Sequence, residues 1–490
     1  MAKNLIIFYT DQQRRDSLGC YGKPVARTPN IDAMVEGGVA FRNHYAANPV
    51  CMPSRASFMT GRHLQAHRLI DNGIALPKTE RTLPGVLVEQ GYQTCSIGKL
   101  HLTPWGAPAS TGYEESKEVW ASGVLDDWTG PYYGFQDVQM TIAHGDACFA
   151  NGAHYGQWVE KNFKQVAAMG DDFRTGKIKQ SYKSSLPTEA QHSTWVANQA
   201  IEFLNEKGDK PFCLYVSFPN PHHPFVAAEE YLKMFENCDF PQPHFREGEH
   251  EGKPFHYGVA MSGEMQHPID GGARNPKFTD EEWRKILVAT YAMIAQIDDN
   301  VGRVMSSLKE LGLDRNTTTV YTSDHGDFMG DHSFLFKGPY PCRSLLNIPF
   351  IVNDPDCEAG VSDAVMSNVD AMPTLLDLLG VPIPDCVQGR SFKDVMQGEP
   401  ADADHVALVS GWSKDNPIYY HHSVYGDKYR VTYFPNQDDG ELYDLEKDPY
   451  EFDNLYHKPE HKAVRDAMML RLLKEIGRAE PAKFEHAAWW

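Results

Sequence analysis

Four short apolar runs, each passing directly into ionisable residues, constrain this chain more than any other feature. Leu5-Ile-Ile-Phe-Tyr9 leads to Asp11-Gln12, Thr94-Cys-Ser-Ile97 to Gly98-Lys-Leu-His101, Phe212-Cys-Leu-Tyr-Val-Ser-Phe218 to Pro219-Asn-Pro-His-His-Pro224, and Thr319-Val-Tyr-Thr322 to Asp324-His325. A run that is apolar at consecutive positions suits a parallel strand covered by helices on both faces. Open sheets of this type bind ligands beyond the carboxyl ends of their strands, so the four endings predict one convergent site built from distant sequence. Tyr291, Ile294, Asp298, Val301, Met305, Leu308 and Leu311 recur at spacings of three and four, giving an amphipathic helix that Gly312 can cap before the strand at 319. The expected fold class is α/β, with a large, mostly parallel sheet flanked by helices.

Residues 103–190 break this rhythm with Gly, Pro and aromatics, among them Trp105, Trp120, Trp128, Tyr132, Tyr133, Phe135 and Trp158. They predict an insertion over the sheet edge near the site. Most of its aromatics are expected to pack as core, while some could stack an aryl or sugar group or cage a quaternary ammonium. After Gly389-Arg-Ser391 the texture changes to short strand-like runs at Val406 to Val409, Ile418 to Tyr420 and Tyr429 to Phe434, then a helix from about Glu460 to Ile476. The division expected is a catalytic α/β domain over residues 1–392 and a smaller α+β domain over 393–490.

A chain of 490 residues that is 41% hydrophobic and 23% charged buries enough apolar surface to fold, which excludes disorder. With 46 Lys and Arg against 66 Asp and Glu, its formal charge of −20 repels nucleic acid, anionic membranes and long sulfated or phosphorylated polymers alike. A single small anion is still admissible, because a few residues set the field inside a pocket. No apolar run reaches bilayer length, and Met1 to Tyr9 enters a strand-like segment without a small-residue cleavage site, so neither a membrane partner nor classical secretion is expected. Nine scattered cysteines, odd in number and lacking the close pairs of a zinc site, fit a reducing cytoplasm. The tail Ala487-Ala-Trp-Trp490 predicts docking of two large aromatics on the chain itself or on a neighbour, and with it a homo-oligomer.

Asp11, Gln12, Asp324 and His325 offer carboxylate and amide oxygens with one imidazole, a set suited to a hard or borderline divalent cation such as Ca²⁺ or Mn²⁺. Either dipeptide alone reads as an ordinary turn or cap; two of them at two strand ends point to a metal site. Cys51-Met-Pro-Ser-Arg55, followed by Thr60-Gly-Arg62, puts a cysteine before a proline with an arginine four residues on. A helix starting there would hold nucleophile and cation on one turn, and a plain buried cysteine fits the same five residues.

The segment Cys51-x-Pro-Ser-Arg55 with Thr60-Gly61-Arg62 resembles the core motif of the type I sulfatases of the alkaline phosphatase superfamily. The resemblance extends through Thr10-Asp-Gln-Gln13, Leu18-Gly-Cys-Tyr-Gly22, Thr28-Pro-Asn-Ile-Asp32, Gly98-Lys-Leu-His101, Pro221-His222-x-Pro224, Ser323-Asp-His-Gly326, Lys337, Val369-Asp370, Pro373-Thr374 and Glu441-Leu-Tyr-Asp-Leu445, in the family's order over nearly the whole chain. It implies an alkaline phosphatase-like fold and hydrolysis of a sulfate monoester. It also implies that a formylglycine-generating enzyme oxidises Cys51 to formylglycine, whose hydrate attacks sulfur and then expels sulfate. By matching positions, Asp11, Gln12, Asp324, His325 and residue 51 would hold one divalent metal, Ca²⁺ first and Mn²⁺ or Mg²⁺ as alternatives. Arg55 would hold the formylglycine, Lys99 would bridge it to a sulfate oxygen, and His101 would take a hydroxyl proton. His222 and Lys337 would serve the leaving group, with His223 as the rival of His222, and Asn72 would bind a non-bridging oxygen or form a simple turn.

Two positions depart from many family members, which carry a second Asp at Gln12 and an Asn at His325. Asp-Gln with Asp-His is the pattern of choline sulfatases and phosphonate monoester hydrolases. The phosphonate and phosphodiester branch is expected to carry Tyr and Thr where this chain has Lys99 and His101, which favours a sulfatase acting on an aryl, small alkyl or sugar sulfate. Phosphonate monoester or phosphodiester hydrolysis is the alternative. A sulfatase-like protein that captures an oxyanion with Cys51 unconverted is a third reading.

Overall fold

A computed structural model of the protein describes residues 2–167, 181–184, 186–262, 279–413 and 417–480. Eight strands form the main sheet: β1 (Asn4–Thr10), β2 (Gly38–Tyr45), β3 (Gln93–Gly98), β4 (Asp137–Met140), β5 (Phe212–Ser217), β6 (Thr317–Ser323), β7 (Phe350–Asn353) and β8 (Gly360–Ser367). Their spatial order is β8-β2-β7-β6-β1-β5-β3-β4. All neighbours run parallel except β7, which is antiparallel to both β2 and β6. The four runs singled out in the sequence become β6, β1, β5 and β3, consecutive strands at the sheet's centre. Their carboxyl ends therefore open on one crevice.

The consecutive apolar residues of these strands feed two cores, because successive side chains leave opposite faces of the sheet. Leu5, Ile7, Tyr9, Cys213, Tyr215 and Val320 enter one core; Ile6, Phe8, Leu214, Val216 and Tyr321 enter the other. The first core is closed by helices α1 (Cys51–Thr60) and α4 (Asn368–Leu378), through Met52, Ala56, Phe58 and Met59 and through Met372, Leu375 and Leu376. The second is closed by α2 (His192–Glu206) and α3 (Asp280–Glu310), through Trp195, Val196 and Leu204 and through Ile294, Ile297, Val301, Val304 and Leu308. Each such Leu, Ile or Phe stabilises the fold by about 1.5–3 kcal/mol when fully buried. The expected helix before β6 is α3, begun by a Thr279–Glu282 capping box and stopped at Gly312, whose φ of +66° a side chain would strain.

The aromatic-rich segment lies at the sheet edge and contributes the edge strand β4, paired with β3. Its aromatics divide as the packing argument predicts. Trp120, Tyr132, Tyr133 and Phe135 are buried in the first core, and Trp128 packs against it. Trp105 and Trp120 also line the wall of the cleft above the crevice.

Beyond the sheet, β9 (Ala407–Gly411), β10 (His421–Tyr425), β11 (Tyr429–Phe434) and β12 (Asp439–Asp444) form an antiparallel meander. Leu408, Val424, Val431 and Leu442 meet Met468 and Leu472 of helix α5 (Lys462–Ala479) on one face. Ala407, Val409, Tyr425 and Tyr443 on the other face pack against Tyr45, Phe334 and Tyr340. The strand expected at Ile418 to Tyr420 is a single 3₁₀ turn, Pro417–Tyr419, and the pairing strand starts at His421. The reason is local: the turn itself puts Tyr419 and Ile418 into the core, so their apolar character reflects burial without extended pairing. The docking expected of Ala487 to Trp490 concerns residues outside the described ones.

Candidate active site

Each central strand delivers its functional residue one to five positions past its end. Asp11 follows β1, Lys99 follows β3, His222 lies on the loop after β5, and Asp324 and His325 follow β6. Gly98 permits the first close approach. Its φ is +101°, and a Cβ there would stand 1.8 Å from the carbonyl oxygen of Ser217, so only glycine lets β3 turn Lys99 toward the neighbouring strand end. Cys51 arrives from the other side, as the first residue of α1, a helix buried along all ten residues. Asn72 caps that helix start, its Oδ1 accepting from the Met52 N–H at 3.0 Å.

The charged groups form one connected network. Arg55 donates through Nε to Asp324 Oδ2 at 2.9 Å and through Nη2 to Asp11 Oδ2 at 3.1 Å, so one guanidinium bridges two carboxylates with no exposed surface on any of the three side chains. It also donates to the Lys99 carbonyl at 3.1 Å and to Ser217 Oγ at 3.2 Å, and lies 4.9 Å from the Tyr9 ring centre. Arg55 thus holds the carboxylates. The cation on the Cys51 sulfur is Lys337, whose Nζ donates to Sγ at 3.0 Å, to Gln12 Oε1 at 3.1 Å and to His222 Nε2 at 2.7 Å. Those three contacts use all three ammonium protons.

Burial tends to raise the Asp11 carboxyl, but Lys99, His222 and Arg55 outweigh it and hold that group well below the usual carboxylate range. Burial, with Asp11 adding to it, pushes the Cys51 thiol up. Lys337 is raised despite its burial, by Cys51, Asp11 and Asp324. Burial also lowers His325 to about 4, and lowers His101 and His222 well below the ordinary imidazole value. In the resting site Asp11 is therefore ionised, Lys337 charged, and His101, His222 and His325 neutral.

Asp11, Cys51, Asp324 and His325 place ligand atoms within 4.8 Å of one another. His325 Nε2 is 3.2 Å from Cys51 Sγ, 3.6 Å from Asp324 Oδ1 and 3.9 Å from Asp11 Oδ1. Ligands about 2.3 Å from one cation stand roughly 3.3 Å apart when adjacent and about 4.6 Å apart when opposite, so the cluster has the dimensions of a coordination shell. The tautomer fits as well. His325 Nδ1 contacts the Gly326 carbonyl at 2.8 Å, which can only accept, so Nδ1 carries the hydrogen and Nε2 presents its lone pair. Gln12 stands beside the cluster with its Nε2 donating to Asp327 Oδ2 at 2.5 Å. Arg55, Lys99 and Lys337 offset Asp11, Asp324 and Asp327 in charge, so a divalent cation would make the pocket net positive within a strongly acidic chain.

The cleft above these groups has a volume of about 1480 Å³ and is lined by Cys51, Asn72, His101, His144, His222, His223 and Lys337, among others. His101 is held by its loop: Glu115 accepts from the His101, Leu102 and Thr103 N–H groups at 2.5–3.0 Å. His101 Nδ1 is buried and has no hydrogen-bond partner among the described residues. His222 and His223 stack at 4.2 Å, and His222 Nδ1 donates to the His223 carbonyl, which turns Nε2 toward Lys337. His223 itself faces Gln12, its Nδ1 3.1 Å from Gln12 Nε2.

Two residues of the site escaped the sequence reading. His144 stacks on His222 at 3.5 Å with only 9° between the rings and accepts from Lys99 Nζ at 2.5 Å. It lies in the insertion, four residues past the end of β4, and the signal available was that same rule of ionisable residues after a strand, applied to a strand too short to notice. Asp327 lies three residues beyond Asp324 and anchors Gln12; burial raises its carboxyl to about 6.

A mostly parallel sheet with paired carboxylates, an imidazole, a cysteine and two lysines converging at its central strand ends defines a hydrolase of the alkaline phosphatase superfamily. The sulfatase family matches residues 3–381, and the family described as N-sulphoglucosamine sulphohydrolase, C-terminal, matches residues 330–478. An arylsulfatase of Clostridium perfringens is 29% identical, over 98% of this chain and 96% of its own length. The multifunctional alkaline phosphatase superfamily protein PehA of Trinickia caryophylli is 28% identical over the same shares of the two chains. The crystal structure of the phosphonate monoester hydrolase of Agrobacterium radiobacter superposes with a TM-score of 0.81 at 24% identity, covering 97% of this chain and 96% of that one. The chain belongs to the sulfatase family.

Proposed function

We propose that the protein hydrolyses small sulfate monoesters, with an aryl sulfate as the generic substrate and small alkyl or sugar sulfates within reach, through a formylglycine hydrate made from Cys51. The carrying observation is the position of Cys51 Sγ, at the start of a fully buried helix and in contact with Lys337 at 3.0 Å and His325 at 3.2 Å, on the floor of a large cleft. Sγ marks where an oxygen of the hydrate would stand. Formylglycine supplies two hydroxyls, one to attack sulfur and one whose deprotonation restores the aldehyde and releases sulfate. Asp11, Gln12, Asp324 and His325 would hold a divalent cation, Ca²⁺ in this reading and Mn²⁺ or Mg²⁺ as alternatives, which would supply Lewis acidity at the site.

The chain's own residues do the rest. Arg55 keeps Asp11 ionised and aims the carboxylates of both Asp11 and Asp324. Lys99 and Lys337 face the transferring oxygens, where a sulfate monoester carries its charge. His101 presents the unpartnered Nδ1 as proton acceptor for the second hydroxyl. The leaving group needs a proton, and in the resting geometry that proton lies on Lys337 Nζ against His222 Nε2, so the two act as a pair. A positioned acid of this kind contributes about 10²–10⁴-fold. The formylglycine-generating enzyme is the maturation partner in this reading, residues 1–392 form the catalytic unit, and residues 393–490 form the smaller subdomain. Among the described residues no helix is long and apolar enough to cross a membrane.

Phosphonate monoester or phosphodiester hydrolysis is the second reading. It is favoured by the same cationic cradle, which accepts any tetrahedral oxyanion, and by the multifunctional relative at 28% identity. Turnover of aryl sulfate, choline sulfate, a sugar sulfate, a phosphodiester and a phosphonate monoester on fully converted enzyme separates the two. Intact-protein mass spectrometry on material from a converting host tests maturation. Unmodified Cys51 in protein from such a host would eliminate the formylglycine route and leave the oxyanion-binding reading.

A further inference from the structure

The loop that carries Asp11 and Gln12 continues into a second pocket. Arg15, Asp16, Lys23, Asp331, Arg343 and Glu451, with their neighbours, enclose about 320 Å³, where the central sheet's loops meet the segment that follows the meander. No residue lining the catalytic cleft lines this space. Its volume is at the lower end of those that hold small ligands.

The pocket's charges are unevenly satisfied. Its three acidic residues all have partners. Asp16 accepts from Arg14 Nε at 2.7 Å, and Asp331 accepts from Arg14 Nη1 at 2.7 Å and from Ser344 Oγ at 2.8 Å. Glu451 accepts from the Arg343 N–H at 2.8 Å and pairs with Arg430 Nε at 3.1 Å. Two guanidinium groups are left over. Arg15 uses its Nε on Asn347 Oδ1 at 2.6 Å and lies over the Tyr21 ring at 5.0 Å, with both Nη groups unused. The Arg343 guanidinium makes no hydrogen bond or ion pair among the described residues, though the residue is half-buried. The two line one pocket: burial and then Arg343 lower the affinity of Arg15 for its proton, while on Arg343 burial is outweighed by Tyr45, Glu451, Tyr425 and Asp16, which raise it.

Arg15 and Arg343 thus carry planar donor forks that no described residue fills, and an oxyanion is the partner that both forks fit. We propose that this pocket binds a small tetrahedral oxyanion, inorganic sulfate or phosphate or the terminal group of a small phosphate ester, between the guanidinium groups of Arg15 and Arg343. The site is separate from the reaction centre, and the inference does not depend on the proposed substrate. Sulfate as reaction product and phosphate from the surroundings share the recognising chemistry and are told apart by titrating each.

Isothermal titration of the wild-type protein with inorganic sulfate and, separately, with inorganic phosphate and glycerol phosphate tests this, with Arg343→Met and Arg15→Met as comparisons. The expected result is two oxyanion sites per chain in the wild type and one in each variant, the lost site weakening by about tenfold or more. Turnover of an aryl sulfate by Arg343→Met should stay within about twofold of the wild type, since the side chain does not touch the cleft. The anion that binds the lost site more tightly identifies its source. Phenylglyoxal labelling of the wild type, read by peptide mass spectrometry, covers the case of a variant that does not fold: Arg15 and Arg343 should be protected by the tighter anion. A single site per chain displaced by the aryl sulfate, an unchanged two-site isotherm in Arg343→Met, or equal labelling with and without anion would each overturn the proposal.

Discussion

Replacing Arg55 with methionine tests whether the guanidinium is the keystone of the carboxylate pair. Methionine matches much of the side chain's length and apolar bulk, so the perturbation is mainly the loss of charge and of four donated hydrogen bonds, to Asp324, Asp11, the Lys99 carbonyl and Ser217. Asp11 and Asp324 are both fully buried, and of the charged partners described above they would keep Lys99, with backbone N–H groups on Asp324 and the neighbouring imidazoles of His144 and His222 beside Asp11. Removing one partner of a buried ion pair typically costs about 3–5 kcal/mol, because the remaining charge is left desolvated. Equilibrium urea unfolding of metal-free wild type and variant should show a loss in that range. Arg55→Lys should lose less, since one ammonium can still serve one carboxylate. Added Ca²⁺ should then restore the methionine variant more than the wild type, because a cation neutralises the same two oxygens; a metal present at roughly 100 times its Kd adds about 2.7 kcal/mol. A methionine variant within about 1 kcal/mol of the wild type, with no extra response to Ca²⁺, would refute the reasoning.

Lys337→Met and His222→Ala should each lower turnover by about 10²–10⁴-fold, and more for an alkyl sulfate than for an activated aryl sulfate; equal losses on both esters would remove the leaving-group assignment. His144→Ala should slow turnover by roughly tenfold by freeing Lys99 and the His222 ring, while His144→Gln, which can still accept from Lys99, recovers part of the rate in the same kcat measurement. Asp298 is buried and accepts from the Asn30 and Ile31 N–H groups at 3.2 and 2.8 Å, and burial raises its carboxyl to about 6. The folded state therefore holds that proton more tightly than the unfolded chain, so this group's contribution to stability falls as pH rises from about 4 to about 6 and is flat above. Asp327, raised to about 6 as well, keeps part of this slope in both proteins, so melting temperatures over that window should fall more steeply in the wild type than in Asp298→Asn.

The central strands were legible because a doubly covered strand writes its burial into consecutive positions. Leu5 to Tyr9 and Phe212 to Phe218 could hardly be anything else, and the polar residues after them mark the crevice. The strands β2, β7 and β8 were not legible. β8 alternates in exposure and β7 is four residues long, so neither carries the dense apolar pattern. Spatial order was also hidden, since nothing local to β1 says that β5 and β6 will flank it. Within the site, residues carried by motifs were visible, while His144 was not, because its strand is short and its neighbours carry no pattern. The direction of Arg55 could not be read from helical spacing, which puts it on the turn after Cys51. Its actual partners come from β1 and β6, and only the sheet brings them there.

The seclusion of residue 51 has a consequence for the protein's life history. Its side chain is 1% exposed, and α1 is enclosed on every turn by the sheet and by α4. No second enzyme can close its own active site around that sulfur once the core has set. On the proposed reading, maturation of this residue belongs to the interval before the chain collapses, and the yield of competent protein would be decided by a race between the modifying enzyme and folding. Slower synthesis or cooler growth should shift that race, and material that loses it is beyond rescue unless it is unfolded again.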